Sequence, residues 1–264
     1  ISYGVDMREI PTDNIERVEV VRGIPSVKYG ELTSGLINIT RKRSQTPLQI
    51  RLKADEYGKL ISAGKGFLLA EKWNLNVDGG LLDAKKEPRN QFETYKRLTF
   101  SARIQRKWKL GEHNILEWNG ATDYALNVDN VKTDPEIQIH KEDRYRSSYL
   151  KIGMNNRIVY RRLLPLGLQR ASFAYTASIA FDKIHQTEAV ALQRDYVVPL
   201  AYESGEYDGL FLPFQYISNY RVEGIPFYTT FRGETEWTAQ TALINHRITA
   251  GGEFMLNKNY GRGQ

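Results

Sequence analysis

From residue 48 onward, apolar and polar residues alternate with a period of two, in runs longer than an ordinary strand. Ile50, Leu52 and Ala54 alternate with Arg51 and Lys53, Ile61, Ala63 and Phe67 share one face of a second run that Lys65 interrupts, and Leu75 and Val77 alternate with Asn74, Asn76 and Asp78. Leu98, Phe100, Ala102 and Ile104 alternate with Thr99, Ser101, Arg103 and Gln105; Leu116, Trp118, Thr122 and Tyr124 alternate with Glu117, Asn119 and Asp123. Leu150, Ile152 and Met154 continue the pattern, as do Phe173, Tyr175, Ala177, Ile179 and Phe181, then two runs at about 235–244 and 247–257. Such alternation sends successive side chains to opposite faces of a strand. Nine strands are expected, each roughly 8–17 residues long, where about 5–6 is usual in globular sheets. Strands that long, each with one apolar side, predict an extended antiparallel sheet with faces of opposite character.

The connections sharpen this expectation. Short ones follow Phe67, Trp108, Arg162 and Ile244, whereas long ones run at about 85–94, 127–142 and 185–234. Only the connection near 55–59 is short where the alternation calls for a long one. Tight turns at one end and long loops at the other are the two-ended pattern of an outer-membrane β-barrel. Aromatic residues on the apolar side fall near strand ends. Trp73, Trp108 and Tyr160 are expected at the short-turn end and Tyr124, Phe181 and Trp237 at the other, as a girdle. A large soluble β-sandwich would share the alternation; strand length and loop alternation favour the barrel. Mean hydropathy is -0.50 and 26% of residues are charged. No run of about 18 apolar residues suits a helical span, a test that barrel strands escape because they average out to polar.

Composition excludes several classes. The absence of cysteine removes disulfides, thiolate metal sites and cysteine nucleophiles. The net charge of +6 is interspersed, with only short clusters such as Arg41-Lys42-Arg43 and Arg161-Arg162, so no nucleic-acid partner is expected. Ile1 opens on a polar segment without a basic region and an apolar stretch behind it. The expectation is an interior piece of a longer precursor.

Residues 1–46 are different in kind, short and βαβ-like. Ile15 to Val21 alternates as a half-exposed strand, Arg22-Gly23 breaks it, Pro25 to Gly30 reads as one helical turn closed by glycine, and Leu36 to Thr40 is a second strand. The order Ile15-Glu16-Arg17-Val18-Glu19-Val20-Val21-Arg22-Gly23, Pro25-Ser26, Tyr29-Gly30, Gly35-Leu36-Ile37-Asn38-Ile39-Thr40 resembles the closing segment of the plug domain in TonB-dependent outer-membrane receptors. The Gly30 to Gly35 version is most similar to receptors of Bacteroidetes-type bacteria. Motif similarity covers about 15–42; the rest of the chain is matched by architecture.

The resemblance implies a mainly β protein: residues 1–46 as the C-terminal part of a small α/β plug domain, and 47–264 as the N-terminal part of a transmembrane antiparallel barrel, with a long outer loop at 185–234. It implies uptake of a scarce nutrient (a siderophore, vitamin or glycan) at the bacterial outer membrane, driven by the TonB energy-transducing complex through an N-terminal segment not in this sequence. A glycan importer working with a surface lipoprotein is the variant kept open. No enzymatic activity, cofactor or metal is implied; a barrel enzyme and a β-rich adhesion module are the rivals from other classes. The plug-motif residues Glu16, Glu19, Arg22, Gly23, Pro25, Tyr29, Gly30, Gly35 and Asn38 are expected to be structural. Glu16, Glu19 and Arg22 are candidates for pairing with the barrel wall. The stretch 185–234 is the richest in aromatics, and Tyr196, Tyr202, Tyr207, Phe211, Tyr216, Tyr220 and Tyr228 are candidate ligand or partner contacts, because tyrosine gives a large rigid surface at low entropic cost. The competing view is that this stretch forms its own small hairpin core.

Other leads are weaker. Gly251-Gly252-Glu253-Phe254 lies inside an alternating run with no helix nearby, so it does not fit a nucleotide-cyclising signature. His113, His140, His185 and His246 lack metal-ligand spacing, and the oxygen-rich Asn127 to Asn130 loop lacks the acidic ladder of a calcium site.

Overall fold

The computed structural model describes residues 15–23, 36–70, 72–90, 92–133, 143–191, 196–201, 203–213, 215–242 and 244–262. Every regular element among them is a strand. The first two, β1 (Ile15–Val21) and β2 (Leu36–Arg41), form a separate hairpin. They pair antiparallel, with Glu19 opposite Asn38, and not in the parallel manner of a βαβ unit. The expected helical turn at 25–30 lies outside the described residues.

The rest is one ten-stranded antiparallel sheet. Its strands are β3 (Thr46–Asp55), β4 (Gly58–Leu69), β5 (Trp73–Ala84), β6 (Glu93–Lys109), β7 (Asn114–Val131), β8 (Arg144–Arg162), β9 (Gly167–Ala191), β12 (Gln215–Gly224), β13 (Pro226–Thr241) and β14 (Ile244–Asn259). Neighbours in sequence are neighbours in space from β3 to β9, and β13 and β14 follow. The nine expected strands are all present, and two short strands, β10 (Tyr196–Pro199) and β11 (Gly209–Leu212), pair with each other apart from the sheet. β3 and β14 are the two ends of the order, each with one side unpaired among the described residues.

The connections sort by end. Connections at 70–72, 110–113, 163–166 and 242–243 join strands at one end; those at 56–57, 85–92, 132–143 and 192–214 lie at the other and lengthen along the sheet. The short member of the second group, at 56–57, is held by the Asp55 carboxylate, which accepts from the backbone N–H of Tyr57 at 3.0 Å and of Gly58 at 2.9 Å. That local capture is what lets an otherwise long connection be tight. Gly111 and Gly167 adopt positive φ in their turns, and so do Ala70 and Ala242, which have no such freedom.

The stretch 185–234 differs from its expectation as one long loop. β9 runs on for 25 residues to Ala191. Its upper part pairs with β12, from Asp182 opposite Gly224 to Ala191 opposite Gln215, and its lower part pairs with β13. Only Ile225 separates β12 from β13, so the two act as one long partner for β9. The connection is shortened to 192–214, within which β10 and β11 pair, and the rest of the expected loop belongs to the strands β9, β12 and β13. Trp237 is a second correction. It pairs with Leu168, beside the 163–166 turn, so it belongs to the short-turn end.

The sheet is built the wrong way round for a soluble protein. In register, Val77, Ala102, Thr122 and Met154 share one face, as do Leu81, Leu98, Leu126 and Leu150. Large residues on that face are open: Leu98 is 41% exposed, Phe100 49%, Ile152 42% and Phe173 50%. The buried side chains Asn76, Asp78, Thr99, Ser101, Arg103, Glu117, Asn119, Asn127 and Glu236 lie on the opposite, polar face. All four tryptophans stand on the apolar face at the short-turn end. Trp73 meets Trp118 edge-on at 5.7 Å and Trp108 at 6.2 Å, with the Arg106 guanidinium over both Trp73 and Trp108. Rings there bury their bodies while the arginine keeps its charge at the rim.

Candidate functional site

The polar face carries a lattice of charges and amides. Arg103, 2% exposed, pairs with Asp78, 5% exposed, and its guanidinium also donates to Ser101 Oγ at 3.1 Å. Ser101 Oγ donates to Asp123 at 2.7 Å. Nearer the short-turn end of the same strands, Gln105 Nε2 donates to Glu117 Oε1 at 2.9 Å and to Asn119 Oδ1 at 3.0 Å, and Asn119 Nδ2 donates to the same Glu117 oxygen. Arg161 reaches the other Glu117 oxygen at 3.4 Å. Alternation alone places these groups together, since Thr99, Ser101, Arg103 and Gln105 share one face of β6 and Glu117, Asn119 and Asp123 one face of β7. Burying so many charges is tolerated because each has a partner.

Onto this lattice the chain lays the segment that leaves β2. Arg41 pairs with Asp123 and donates to Ser101 Oγ at 3.1 Å. The Lys42 carbonyl accepts from Arg103 Nε at 3.1 Å, and the Ser44 carbonyl accepts from Asn76 Nδ2 at 3.0 Å. Arg43 follows, half-buried close to Arg103, Arg157 and Arg41; burial, and then those like charges, hold its pKa below the usual arginine value, with Glu117 opposing. Gly66 makes room for the crossing, since a Cβ there would stand 2.5 Å from the Ser44 carbonyl oxygen and 2.7 Å from Thr46 N. The β1–β2 hairpin is thereby tethered to the polar face of the sheet.

The expected motif residues are only partly involved. Glu19 accepts from Asn38 Nδ2 at 2.8 Å and pairs with Arg17 at 3.1 Å, all within the hairpin. Glu16 and Arg22 are exposed, and Gly23 takes a positive φ of 84° where the chain leaves β1. Pro25, Tyr29, Gly30 and Gly35 lie outside the described residues. The charge that reaches the sheet comes from Arg41, in the short basic cluster Arg41-Lys42-Arg43. The docking carbonyls of Lys42 and Ser44 leave no side-chain signature in the sequence.

Of the aromatic candidates, Tyr216, Tyr220 and Tyr228 fall on the polar face, opposite Val190, Gln186 and Ser178. Tyr207 and Phe211 are exposed in the outer connection, Phe211 paired with Val197. Tyr196 belongs to β10, its side chain outside what is described, and Tyr202 is also outside the described residues. Tyr145 was not anticipated: it sits on the same face at the long-connection end, beside a cavity of about 370 Å³.

A scan against protein-family models finds no match, and no curated protein matches the sequence. Among solved structures, the siderophore receptor PiuA from Acinetobacter baumannii, known from a crystal structure, is similar at 8% identity and a TM-score of 0.40. The similarity spans 93% of this chain and 51% of that one, so the chain is about half the length of that receptor.

Proposed function

We propose that this chain is part of an outer-membrane β-barrel receptor that imports a scarce nutrient, with residues 15–41 as the end of a plug domain tethered inside the barrel wall. One observation carries the proposal: the sheet exposes its apolar face and buries its charges. Lipid on one side and a polar lumen on the other is the environment in which both faces are satisfied. The tryptophans at one end suit the membrane interface, and the long β9–β12 extension would stand clear of it. The docking of Arg41 to Ser44 on the polar face supports a plug held within the lumen, in keeping with the motif that Ile15 to Thr40 carries. From that motif come the proposed partners: the TonB energy-transducing complex, acting through a segment ahead of this one, and a nutrient ligand at the outer end. A surface lipoprotein partner belongs to the glycan-import variant of the same proposal.

The test is cell fractionation of the native protein with surface labelling at Tyr207→Cys. Recovery in outer membranes, with that position labelled from outside intact cells, is expected. Recovery in a soluble fraction without detergent would overturn the proposal, as would uptake of the nutrient that persists when TonB is deleted.

A further inference from the structure

We propose that Arg106 and the indoles around it form a binding site for a phospholipid whose headgroup carries net negative charge, with an acyl chain laid in an apolar groove of the same face. The inference names one lipid partner for that face and rests on the membrane reading proposed above.

Arg106 is a cation on the face that carries the hydrocarbon, sharing it with Phe100, Ala102, Ile104 and Trp108 of β6. Register sets Trp73 opposite it on one side and Trp118 on the other, and Trp108 stands two residues along the same strand. The guanidinium carbon lies 4.6 Å from the Trp73 ring centre and 4.8 Å from that of Trp108. The indoles brace one another, since Trp73 meets Trp118 and Trp108 edge-on at 5.7 and 6.2 Å. Gly120, opposite Ile104, leaves room for this box: a Cβ there would stand 2.9 Å from Ile104 Cγ2 and 3.3 Å from Trp118 Cζ2.

What the box lacks is an anion. Arg106 Nε is buried and has no hydrogen-bond partner among the described residues. The neighbours on its face are Leu75, Ile104, Leu116 and Gly120, whose side chains offer no acceptor. Rings attract the charge but leave the N–H groups without a lone pair to meet. A guanidinium presents a planar fork that matches two oxygens of a phosphate, and it sheds water more readily than an ammonium. Arg106 as a whole is half-buried, which leaves that fork an open side. Its depth suits a headgroup: three residues, about 10 Å of strand, separate it from the end of β6 at Lys109. The adjoining turns and their flanks carry Lys72, Lys109 and Arg162 against Glu71 and Glu112, a small cationic excess that favours a headgroup without a cation of its own.

The same face supplies a place for the tail. Toward the middle of the sheet, an apolar groove of about 610 Å³ is lined by Ala63, Gly79, Leu81, Leu98, Phe100 and Tyr124. Ala63 and Gly79 are directly opposite, and their small size opens its floor. Phe100 is six residues from Arg106, about 20 Å of strand. At a tilt of about 45° that is about 14 Å of depth, close to half of a hydrocarbon core about 30 Å thick. One acyl chain hanging from a phosphate at Arg106 therefore reaches the groove.

The experiment is quenching of tryptophan fluorescence by brominated lipids, with the native protein reconstituted in phosphatidylcholine vesicles. All four tryptophans stand at the short-turn end of the apolar face, so the signal reports lipid at that end. Brominated phosphatidylglycerol is expected to associate about fivefold more strongly than brominated phosphatidylcholine. Arg106→Gln and Arg106→Met should each bring the two lipids to parity. Lys96→Gln, which removes a cation from the same strand and face at the other end, should keep the preference. Inorganic phosphate should not displace the brominated phosphatidylglycerol, having no tail for the groove; displacement would assign the box to free anions and overturn the lipid site. Equal association of the two lipids with the parent protein overturns it, as does a preference that survives both Arg106 variants. Quenching by neither lipid overturns the membrane reading and the site with it, an outcome distinct from failure of the site alone.

Discussion

Tryptic cleavage of the segment after β2 measures how firmly it is docked. Arg41, Lys42 and Arg43 are successive cleavage sites, all half-buried against the polar face. The protease needs this segment to lift away, and where re-docking is fast the cleavage rate follows the lifted fraction. Arg103 gives a charged hydrogen bond to the Lys42 carbonyl at 3.1 Å. Such a bond contributes about 1.5–3 kcal/mol, so its loss should raise cleavage about 10- to 150-fold. Asn76 gives a neutral bond to the Ser44 carbonyl at 3.0 Å. That is about 0.5–1.5 kcal/mol, or about 2- to 12-fold. The Arg41–Asp123 pair has side chains 22% and 41% exposed, so water screens it, and Asp123→Ala should change cleavage by less than about fivefold.

The Arg103 variant needs a companion substitution. Removing Arg103 alone strands Asp78 as a buried, uncompensated charge, a separate penalty of about 3–5 kcal/mol. Arg103→Met with Asp78→Asn removes the bond to Lys42 without that penalty. The expected order of acceleration is the Arg103 double variant, then Asn76→Ala, then Asp123→Ala, read as initial cleavage rates at 41–43 under identical detergent conditions. Equal rates for all three, or a reversed order in proteins whose melting curves match the parent, would refute the docking geometry.

Three further outcomes are expected. Phe100→Arg places a charge in the middle of the apolar face, at a cost of about 2–4 kcal/mol near a bilayer midplane, and should block insertion into lipid vesicles, whereas Leu210→Arg on the outer hairpin should not; normal insertion of Phe100→Arg would remove the lipid from that face. Ala70→Gly and Ala242→Gly relieve positive φ values of 47° and 50° and should each stabilise the sheet by about 0.5–1 kcal/mol in denaturant unfolding, since the left-handed strain exceeds the added chain entropy; destabilisation by both would mean the turns are not as described. Replacing 192–214 by Asn-Gly joins the directly paired Ala191 and Gln215 through a two-residue turn, and should leave thermal stability unchanged, because the β9–β12 pairing below it is complete. A large drop in melting temperature would show that the β10–β11 hairpin supports the extension beneath it.

Strands were legible where two different solvents meet them. The runs at Leu98 to Ile104 and Leu116 to Tyr124 are unmistakable because one side must be apolar and the other polar, and each became a long strand. β12 escaped notice for the converse reason. Tyr216, Ser218, Tyr220 and Val222 share one face and Ile217, Asn219 and Arg221 the other, so neither face is distinctly polar. That loss of contrast is what a strand wetted on both sides should show, and it hid the β9–β12 extension inside an apparent loop. A strand beginning near 235 puts Trp237 at the outer end; the strand begins at Pro226, which carries Trp237 to the short-turn end. The candidate sites were less legible still. Arg103 and Asn76 stand far in sequence from the Lys42 and Ser44 carbonyls they hold, and backbone carbonyls carry no residue signature.

A mean hydropathy of -0.50 describes neither face of this sheet. Averaging along the chain cancels Phe100 against Ser101 and Trp118 against Asn119, although the pleat sends them to opposite environments. Taken one face at a time, the apolar surface from Leu52 through Phe100 and Ile152 to Phe254 is far more extensive than monomers in water leave open. The other face holds Arg103, Asp78, Glu117 and Glu236 below one tenth exposure. In water both would be penalties, one for exposed hydrocarbon and one for desolvated charge. They become compatible when hydrocarbon covers the first face and the charges of the second satisfy one another across neighbouring strands. The pairing of Arg103 with Asp78, and of Glu117 with Gln105, Asn119 and Arg161, is what that second condition demands. Arg41, Lys42 and Ser44 then dock where the lattice still offers donors and an acceptor, which ties the position of the β1–β2 hairpin to the same polarity that orients the sheet.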